Sequence, residues 1–484
     1  MSLRVYNTLT REKQPFDPVT PGKVGIYLCG PTVYKPPHIG HLVGPIIFDA
    51  VKRYLTFKGY AVTWVLNITD VDDKIIAEAA RQQMGFLQLA EQQTQLYLKV
   101  LEDLGVRESI THFPKASEHM GEIIDIIQTL VDKGHAYAST GGDVWFDTAS
   151  DADYGKLSNR RLDEQEAGLR DLAGAGKKSP ADFALWKAAK AGEPAWQSPW
   201  GNGRPGWHIE CSAMSQKYLG DTFDIHGGGD DLKFPHHENE LAQSECCTGK
   251  TFVKYWMHNG LTRIKTKAPS GEWKSEKMSK SLGNTIGARE LIDTHGPDVI
   301  RYLLLSTHYR SPIEFNDDVL ANTKKALGVF TRTFDRVQRL GGTPDGGSLL
   351  AQPFAEKFVA SMDDDFNTAG GIAAMHELAG AINGEIERSG VEKTRNPQAL
   401  TAITTAAAKL KQLGQILGLF ISDLKPAADQ DNALTEQLMQ LIIQLRADAR
   451  ARKDFATADA IRNGLTALEI VLEDKKDGTL WRKN

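Results

Sequence analysis

Residue types that commonly bind transition metals occur in three separate stretches of this sequence. Cys29 and Cys211 each end a short stretch that is typical of a strand, and His236 and Glu240 stand four residues apart in a predicted helix. That spacing places the last two side chains on one helix face. Two thiolates, one imidazole and one carboxylate would suit tetrahedral zinc. The spacing leaves alternatives open, because the run His-His-Glu-Asn-Glu at 236–240 offers competing donors and could be a polar helix start without a metal.

A second set of residues could bind phosphate. His38 and His41 flank Ile-Gly at a predicted helix start, where free backbone N–H groups and the helix dipole favour anions. Gly40 would let a nucleotide approach the backbone closely. Far downstream, Lys277 and Lys280 lie in the string Lys-Met-Ser-Lys-Ser and could neutralise charge that develops on a leaving pyrophosphate. The alternatives are an ordinary helix start and a solvated lysine loop.

A run of three glycines follows His226. Gly227, Gly228 and Gly229 would permit close approach of adenine and ribose, and Asp231 could bind a hydroxyl or order the loop. A dinucleotide-binding fingerprint has a different glycine spacing and a helix immediately afterwards. The run therefore indicates a nucleotide site of another kind.

Regular elements should bring these residues together. Residues 23–29 and 61–66 read as buried strands, and a helix between them begins near His41 with its apolar residues on one face. Such a β-α-β unit is right-handed and parallel, and its ligands bind beyond the carboxyl ends of the strands. Cys29 and residues 67–70 (Asn-Ile-Thr-Asp) lie at those ends.

Length and composition limit the class of protein. A chain of 484 residues is too long for one core and predicts several domains. Four cysteines are too few for a disulfide framework in a chain of this length. The net charge of −5 argues against indiscriminate nucleic-acid binding, although one basic face would suffice for an RNA substrate. We find no membrane-spanning run and no signal-peptide core, so we expect a cytoplasmic protein.

Several of these motifs, in this order, resemble those of the class I aminoacyl-tRNA synthetases. The resemblance narrows to the cysteinyl-tRNA synthetase family through strings spread over nearly the whole chain. These strings are Cys-Gly-Pro-Thr-Val-Tyr at 29–34, His-Ile-Gly-His at 38–41, Asn-Ile-Thr-Asp at 67–70, Gly-Trp-His-Ile-Glu-Cys at 206–211, His-Gly-Gly-Gly at 226–229 and Lys-Met-Ser-Lys-Ser at 277–281.

The resemblance implies roles for individual residues. It identifies the zinc ligands, one ion per chain, as Cys29, Cys211, His236 and Glu240. It implies that the bound amino acid is enclosed by Gly30, Thr69, Trp207 and His226. It assigns catalysis to His38, His41, Lys277 and Lys280, and ATP binding to Gly40, Gly227, Gly228, Gly229, Asp231 and Lys280.

The same resemblance implies the reaction and its partners. A member of this family would ligate L-cysteine to tRNA(Cys) with ATP, through a cysteinyl-adenylate, with Mg²⁺ on the ATP phosphates. Zinc would select the thiol, because a pocket built on shape alone separates cysteine from serine poorly. We expect a monomer without membrane partners.

The implied fold class is α/β. It comprises a Rossmann-like parallel-sheet catalytic domain with an insertion, a helical bundle and a small C-terminal α/β anticodon-binding domain. The predicted boundaries are 1–114 and 206–260 for the two catalytic halves, 115–205 for the insertion, 261–317 for a stem-contact region with the lysine loop, 318–425 for the bundle and 426–484 for the C-terminal domain.

Two stretches depart from the family pattern. Leu-Val-Gly at 42–44 stands where relatives generally have a small residue and then an arginine, and residues 262–275 form a longer segment than usual. Asp72 and Asp73 are interpreted as caps of a helix that begins near Lys74.

Three other functions compete with this interpretation. A cysteine ligase for a small-molecule amine would share the catalytic half, but it would not need the regions after residue 318. A non-catalytic RNA-binding relative would not need both phosphate motifs and all four metal ligands. A nicotinamide oxidoreductase is disfavoured by the glycine spacing.

Overall fold

The computed structural model describes residues 2–160, 176–267, 273–277, 286–421, 428–468, 470–475 and 478–483. Its contacts divide the chain into two compact units, Met1–Ile421 and Ser422–Asn484. Within the described ranges, none of the helices has the length and apolar character needed to cross a membrane.

The strands of the first unit belong to two-, three- and four-stranded sheets. They are β1 (Arg4–Asn7), β2 (Glu12–Pro15), β3 (Lys23–Leu28), β4 (Ala61–Leu66), β5 (Ala136–Ala138), β6 (Val144–Phe146), β7 (Phe183–Ala188), β8 (Gly203–Pro205), β9 (Phe223–Gly229), β10 (Val253–Asn259), β11 (Thr262–Lys267), β12 (Trp273–Lys277) and β13 (Ile313–Phe315).

The helices of this unit surround the sheets and continue into a bundle. They are α1 (Gly40–Phe57), α2 (Asp73–Arg81), α3 (Phe86–Asp103), α4 (Met120–Asp132), α5 (Trp207–Leu219), α6 (Glu238–Thr248), α7 (Ala288–His295), α8 (Pro297–Leu305), α9 (Asp317–Leu340), α10 (Gln352–Asp363), α11 (Thr368–Ser389), α12 (Val391–Thr394) and α13 (Pro397–Ile416).

A parallel sheet in the order β10-β9-β3-β4 lies at the centre of the unit. The β-α-β unit β3-α1-β4 is present as predicted, and the α/β fold class is confirmed. Helix α1 differs from the prediction of a single apolar face. Ile46, Phe48 and Asp49 are buried as well, because the helix packs between the sheet and helices α8 and α13.

The insertion separates β4 from β9 in the sequence. It contains helix α4 and an antiparallel sheet in the order β5-β6-β7-β8, and all of these elements lie within the predicted range 115–205. The prediction of a strand ending at Cys211 is wrong, because residues 207–219 form helix α5. The strand-like pentad Trp-His-Ile-Glu-Cys continues into Ser-Ala-Met-Ser-Gln-Lys-Tyr-Leu, and the whole stretch adopts one helix with residues 209–215 buried.

The second unit contains the predicted helix pair and hairpin. Its elements are α14 (Ala428–Ala451), α15 (Phe455–Ala467), β14 (Ile470–Lys475) and β15 (Gly478–Lys483), with the two strands antiparallel. Arg446 and Asp474 form a bidentate ion pair at 2.8 and 2.9 Å. Trp481 packs beside the small core and donates its Nε1–H to Glu436 at 3.1 Å.

A buried ion pair joins helix α1 to helix α8, and the end of the bundle packs over it. Arg301 on α8 contacts Asp49 on α1, and both side chains are almost completely shielded from solvent. Arg301 also donates to the carbonyl oxygens of Leu104 and Leu417 at 3.1 and 2.9 Å. A Cβ on Gly418 would lie 1.8 Å from the guanidinium, so glycine is required there.

We expect Asp49→Ala to lower the denaturation midpoint of the protein substantially. The substitution leaves the buried Arg301 without its counter-charge, which typically costs about 3–5 kcal/mol. Chemical denaturation checks the prediction, with Lys99→Ala as the matched control, because the Lys99 side chain is exposed and its loss leaves no buried charge unpaired. Equal midpoints for the two variants would contradict it.

Candidate functional site

A cavity of about 590 Å³ opens beyond the carboxyl ends of the parallel strands. This volume suits a small-molecule ligand. Its lining comes from the ends of β3, β9 and β10 and from the starts of α1 and α5. Among the lining residues are Cys29, Gly30, Thr32, Tyr34, His38, Gly40, His41, Val43, Gly44, Lys74, Trp207, Gly228, Gly229, Asp231, Asn259 and Thr262.

The four side chains predicted to bind metal meet at one side of this cavity. The Cys29 Sγ lies 3.8 Å from the Cys211 Sγ, 3.5 Å from the His236 Nε2 and 3.4 Å from the Glu240 Oε1. The His236 Nε2 lies 3.6 Å from the Cys211 Sγ and 2.9 Å from the Glu240 Oε1. Three separate segments supply these donors: the end of β3, helix α5, and α6 with the irregular turn before it.

These distances fit a tetrahedral metal centre. Two zinc–sulfur bonds of about 2.3 Å at the tetrahedral angle place the sulfurs about 3.8 Å apart. One such bond and one zinc–nitrogen bond of about 2.0–2.1 Å place sulfur and nitrogen about 3.5 Å apart. The observed sulfur–sulfur and sulfur–nitrogen separations match these values, so the residues present fit a zinc ion.

A second donor set shares part of this cluster. Cys29 and Glu240 also lie within reach of His226 and His237. In that set His226 donates its Nε2–H to the other Glu240 oxygen at 2.8 Å, and the His237 Nδ1 is hydrogen-bonded to the His258 Nε2 at 2.8 Å. This set offers one sulfur where the first set offers two, and zinc favours the set with more thiolates.

Burial and mutual contact set the protonation of the four donors. Burial would raise the pKa of Cys211, but hydrogen bonds with Cys29 and His236 lower this pKa to about 6. Burial would lower the pKa of His236, but the Glu240 carboxylate raises it to about 10. Burial would raise the pKa of Glu240, but the interaction with His236 is stronger and holds this pKa well below its usual range. Burial raises the pKa of Cys29.

A layer of aromatic and histidine side chains orients these donors. Trp207 stacks on the His236 ring with the centroids 4.1 Å apart and the planes at 18°. The Nδ1 atoms of His208 and His236 are 2.9 Å apart. His226, predicted to touch substrate, is fully buried behind Glu240 and stacks on Trp256. Support of this kind fixes the orientation of ligating side chains.

Sequence reasoning missed His208. This residue and Cys211 are three apart on helix α5, so both side chains lie on one face of the helix. The interpretation of the segment as a strand put them on opposite faces. A helical interpretation of residues 207–219 would have paired them.

The substrate side of the cluster depends on close backbone packing. Gly30 donates its N–H to the Asn67 Oδ1 at 2.8 Å, and a Cβ on Gly30 would lie 1.7 Å from the Asn67 carbonyl oxygen. Asn67 in turn donates to the Thr69 hydroxyl at 3.3 Å. Gly30 and Trp207 line the cavity, while Thr69 is buried beside it.

The two histidines at the start of α1 lie against each other. The ring centroids of His38 and His41 are 3.9 Å apart, and Gly40 donates its N–H to the His38 Nδ1 at 3.1 Å. A Cβ on Gly40 would lie 2.9 Å from the His38 ring, so the glycine accommodates this ring as well as opening the backbone to the cavity.

The glycine run divides between the cavity and the core. Gly228, Gly229 and Asp231 line the cavity. Gly227, predicted to bind ATP, instead faces the ring of Phe48 on α1, where a Cβ would lie 2.0 Å from the Cζ atom.

The lysine string is only partly described. Lys277 ends strand β12, which pairs with β11 directly after β10. Lys280 and the rest of the string lie outside the described residues. Val43 and Gly44, from the stretch 42–44 noted in the sequence, line the cavity.

Comparisons with known proteins agree with this architecture. The chain matches the family model of the tRNA synthetases class I (C) catalytic domain over residues 15–325. It matches the DALR domain over residues 357–421 and the cysteinyl-tRNA ligase anticodon binding domain over residues 433–482.

Full-length relatives share nearly half of the sequence. The cysteine–tRNA ligase of Desulforamulus reducens is 46% identical, with 99% of this chain and 100% of that protein covered. That of Geobacillus thermodenitrificans is 46% identical, with 100% and 99% covered. Among solved structures, methionyl-tRNA synthetase of Mycobacterium tuberculosis bound by methionyl-adenylate has the same fold, with a TM-score of 0.61, 14% identity and coverage of 84% of this chain and 92% of that one.

We expect Gly227→Ala to destabilise the protein and to displace the end of β9. The added methyl group meets Phe48 in a packed interior, and overpacking of this kind typically costs about 1–3 kcal/mol. Chemical denaturation measures the loss. The control is Gly384→Ala in helix α11, where nothing lies near the new Cβ and the same substitution should stabilise the helix. A Gly227→Ala midpoint at or above that of the unmodified protein would contradict the prediction.

Proposed function

This chain belongs to the cysteinyl-tRNA synthetase family and is an ATP-dependent ligase that joins cysteine to tRNA, and we propose that its reaction passes through a cysteinyl-adenylate. The observation that carries the proposal is the four-donor cluster at the wall of the cavity. It lies beside the predicted amino-acid position and next to the helix start that would hold phosphate.

Cys29, Cys211, His236 and Glu240 would hold one zinc ion. When bound, zinc supplies a Lewis acid that favours the thiolate of cysteine over the hydroxyl of serine. Trp207, which stacks on His236 and lines the cavity, would form one wall around the amino acid. Gly30 and Thr69 would form the opposite wall, and His226 would act through its contact with Glu240.

The nucleotide would extend away from this cluster. Gly40, Gly228, Gly229 and Asp231 line the part of the cavity where adenosine would bind, and Gly227 would shape that part by packing against Phe48. His38 and His41 at the start of α1 would contact the phosphates, where helix N-termini favour anions. Lys277 and Lys280 would close over the triphosphate together with Mg²⁺.

In the first step a carboxylate oxygen of cysteine attacks the α-phosphorus of ATP, and the bond to the pyrophosphate oxygen breaks. The two histidines and two lysines would stabilise the charge on the departing pyrophosphate. In the second step the terminal ribose hydroxyl of tRNA attacks the carbonyl carbon, and AMP leaves. Position and charge stabilisation, with no covalent enzyme intermediate, account for both steps.

The remaining regions would bind and position the RNA. The bundle at 318–425 would space the active site from an anticodon-binding domain at 426–484, with 115–205 as the connective insertion and 261–317 as the stem-contact region. The match of residues 433–482 to an anticodon-binding domain supports a tRNA acceptor over a small-molecule amine. We propose that the enzyme acts on tRNA(Cys) as a monomer in the cytoplasm.

We expect about one zinc per chain in the purified protein, and we expect Cys211→Ser to lose metal and cysteine-dependent pyrophosphate exchange together. A closed site cannot lose a thiolate without losing affinity for zinc. Metal analysis and exchange assays with cysteine and serine are the measurements. The matched control is His237→Asn, which belongs to the alternative donor set and should keep its zinc. Metal loss in His237→Asn with retention in Cys211→Ser would reverse the assignment, and a fully active metal-free protein would overturn it.

We expect Lys280→Ala to slow adenylate formation far more than it weakens cysteine binding. Its charge is needed mainly as pyrophosphate departs, and one preorganised contact of this kind is worth roughly 10²–10³ in rate. Single-turnover adenylate formation measures the effect. Lys267→Ala, at the end of strand β11 and outside the string, should retain the normal rate. An unchanged rate in Lys280→Ala would make the string an ordinary solvated loop.

A further inference from the structure

Lys74 brings a positive charge to the cavity that the reaction described above does not use. It is the one lysine or arginine among the described residues that line the cavity. Its side chain is exposed and its Nζ lies 5.8 Å from the centroid of the Tyr34 ring, which lines the cavity too. A cation over an aromatic face is held in place while it stays open to a second, anionic partner.

The carboxylates around Lys74 are bound to other groups. Asp72 caps helix α2 by accepting the Lys74 backbone N–H at 2.8 Å, as predicted for this residue. Asp70 accepts from the Ser117 N–H at 2.9 Å, and Glu78 accepts from Arg81 and Gln82. Among the described residues, none of these carboxylates forms an ion pair with Lys74, so none of the three neutralises its charge directly.

The backbone of Lys74 is fixed from outside the cavity. Asp73, the first residue of α2, pairs with Arg204 at the end of the insertion and with Lys187 at 2.8 Å. Arg204 is buried, and it also contacts Glu193 at 3.4 Å. Asp73 therefore does not cap α2 as predicted but forms ion pairs with the insertion. These ion pairs hold the first turn of α2 beside the start of α5.

Lys74 and Lys277 follow opposite edge strands of the sheet. Lys74 comes after β4, which is one edge strand of the order β10-β9-β3-β4, whereas strands β11 and β12, the second of which ends at Lys277, come after β10 at the other edge. The glycines predicted to hold adenosine follow β9, and the start of α1 follows β3. A phosphate near Lys74 would therefore approach from the β4 edge, next to the insertion, and not from the ATP side.

We propose that Lys74 binds a phosphate of the single-stranded 3′ end of the RNA as it enters the cavity between β4 and the insertion. The proposal rests on the proposed function, since it assumes that the acceptor is RNA. Lys74 would position the terminal ribose for attack on the adenylate, with Tyr34 restricting the lysine side chain. Lysine suits this task because its ammonium group binds phosphate as a point charge.

The test compares the two half-reactions of Lys74→Met in the full-length enzyme. We expect cysteine-dependent pyrophosphate exchange to be unchanged and kcat/KM for tRNA aminoacylation to fall about tenfold, as for one charge-assisted hydrogen bond. The slope of log kcat/KM for tRNA against log salt should become shallower by about 0.7, the contribution of one phosphate contact to a single strand. Lys74→Arg should restore most of the rate.

Lys35→Met is the matched control. Its Nζ also lies 5.8 Å from the Tyr34 ring, but Lys35 is not part of the cavity lining. We expect this variant to aminoacylate normally with an unchanged salt slope. An equal loss in both variants would assign the effect to Tyr34 or to net charge and overturn the proposal.

Other outcomes separate this inference from the proposed function. If pyrophosphate exchange falls in Lys74→Met as much as aminoacylation does, the lysine contacts ATP or the cysteine carboxylate, and the RNA assignment is wrong. If Lys74→Met matches the unmodified enzyme in both assays, Lys74 has no substrate contact. Failure of the unmodified enzyme to catalyse cysteine-dependent exchange would instead refute the proposed function.

Discussion

The site depends on bringing four ionisable donors from three chain segments to one buried point. Buried charges are costly unless they are paired or bind a metal, and here the His236 Nε2 lies 2.9 Å from the Glu240 Oε1 and 3.6 Å from the Cys211 Sγ. That arrangement requires the end of β3, the helix α5 and the turn before α6 to lie against each other. The parallel order of β3 and β9 provides this, since both strands end at the same edge and α5 leads directly into β9. The adjoining cavity, which is lined by glycines and by the start of α1, opens at the same edge of the sheet.

Much of this arrangement could be predicted from local pattern. Buried strands around residues 23–29 and 61–66 are short apolar runs, and the helix between them has clear periodicity, so the β-α-β unit and the position of Cys29 were recognisable. The segment 207–211 was misjudged, because five residues are too few to distinguish the period of a helix from that of a strand. The error moved Cys211 to the wrong element and concealed the role of His208, although the ligand set itself came from family resemblance.

Contacts between distant segments were beyond the reach of sequence patterns. Nothing local marks Asp49 as buried, and its partner Arg301 lies 252 residues away. Asp73 reads as a capping residue, yet it pairs with Arg204 across the insertion. The sequence around Lys74 resembles that around many solvated lysines, and only the structure shows that Lys74 lines the cavity. In each case the role of a charged side chain depends on which group lies next to it in space, and the tertiary fold determines that group.

The pairing of α1 with the end of the bundle bears on how this protein is made. The Asp49–Arg301 pair is shielded by residues near the end of the first unit, because Leu417 and Gly418 pack over the guanidinium. Two further contacts join early and late segments: the Tyr6 N–H donates to Asp365, and the Tyr54 hydroxyl donates to Asp363. A chain growing on the ribosome cannot complete these contacts until more than four hundred residues have emerged. Helix α1 is therefore synthesised early but reaches its final environment late. Ligation would be withheld from partial chains, and the nascent protein would need protection of its apolar α1 during elongation.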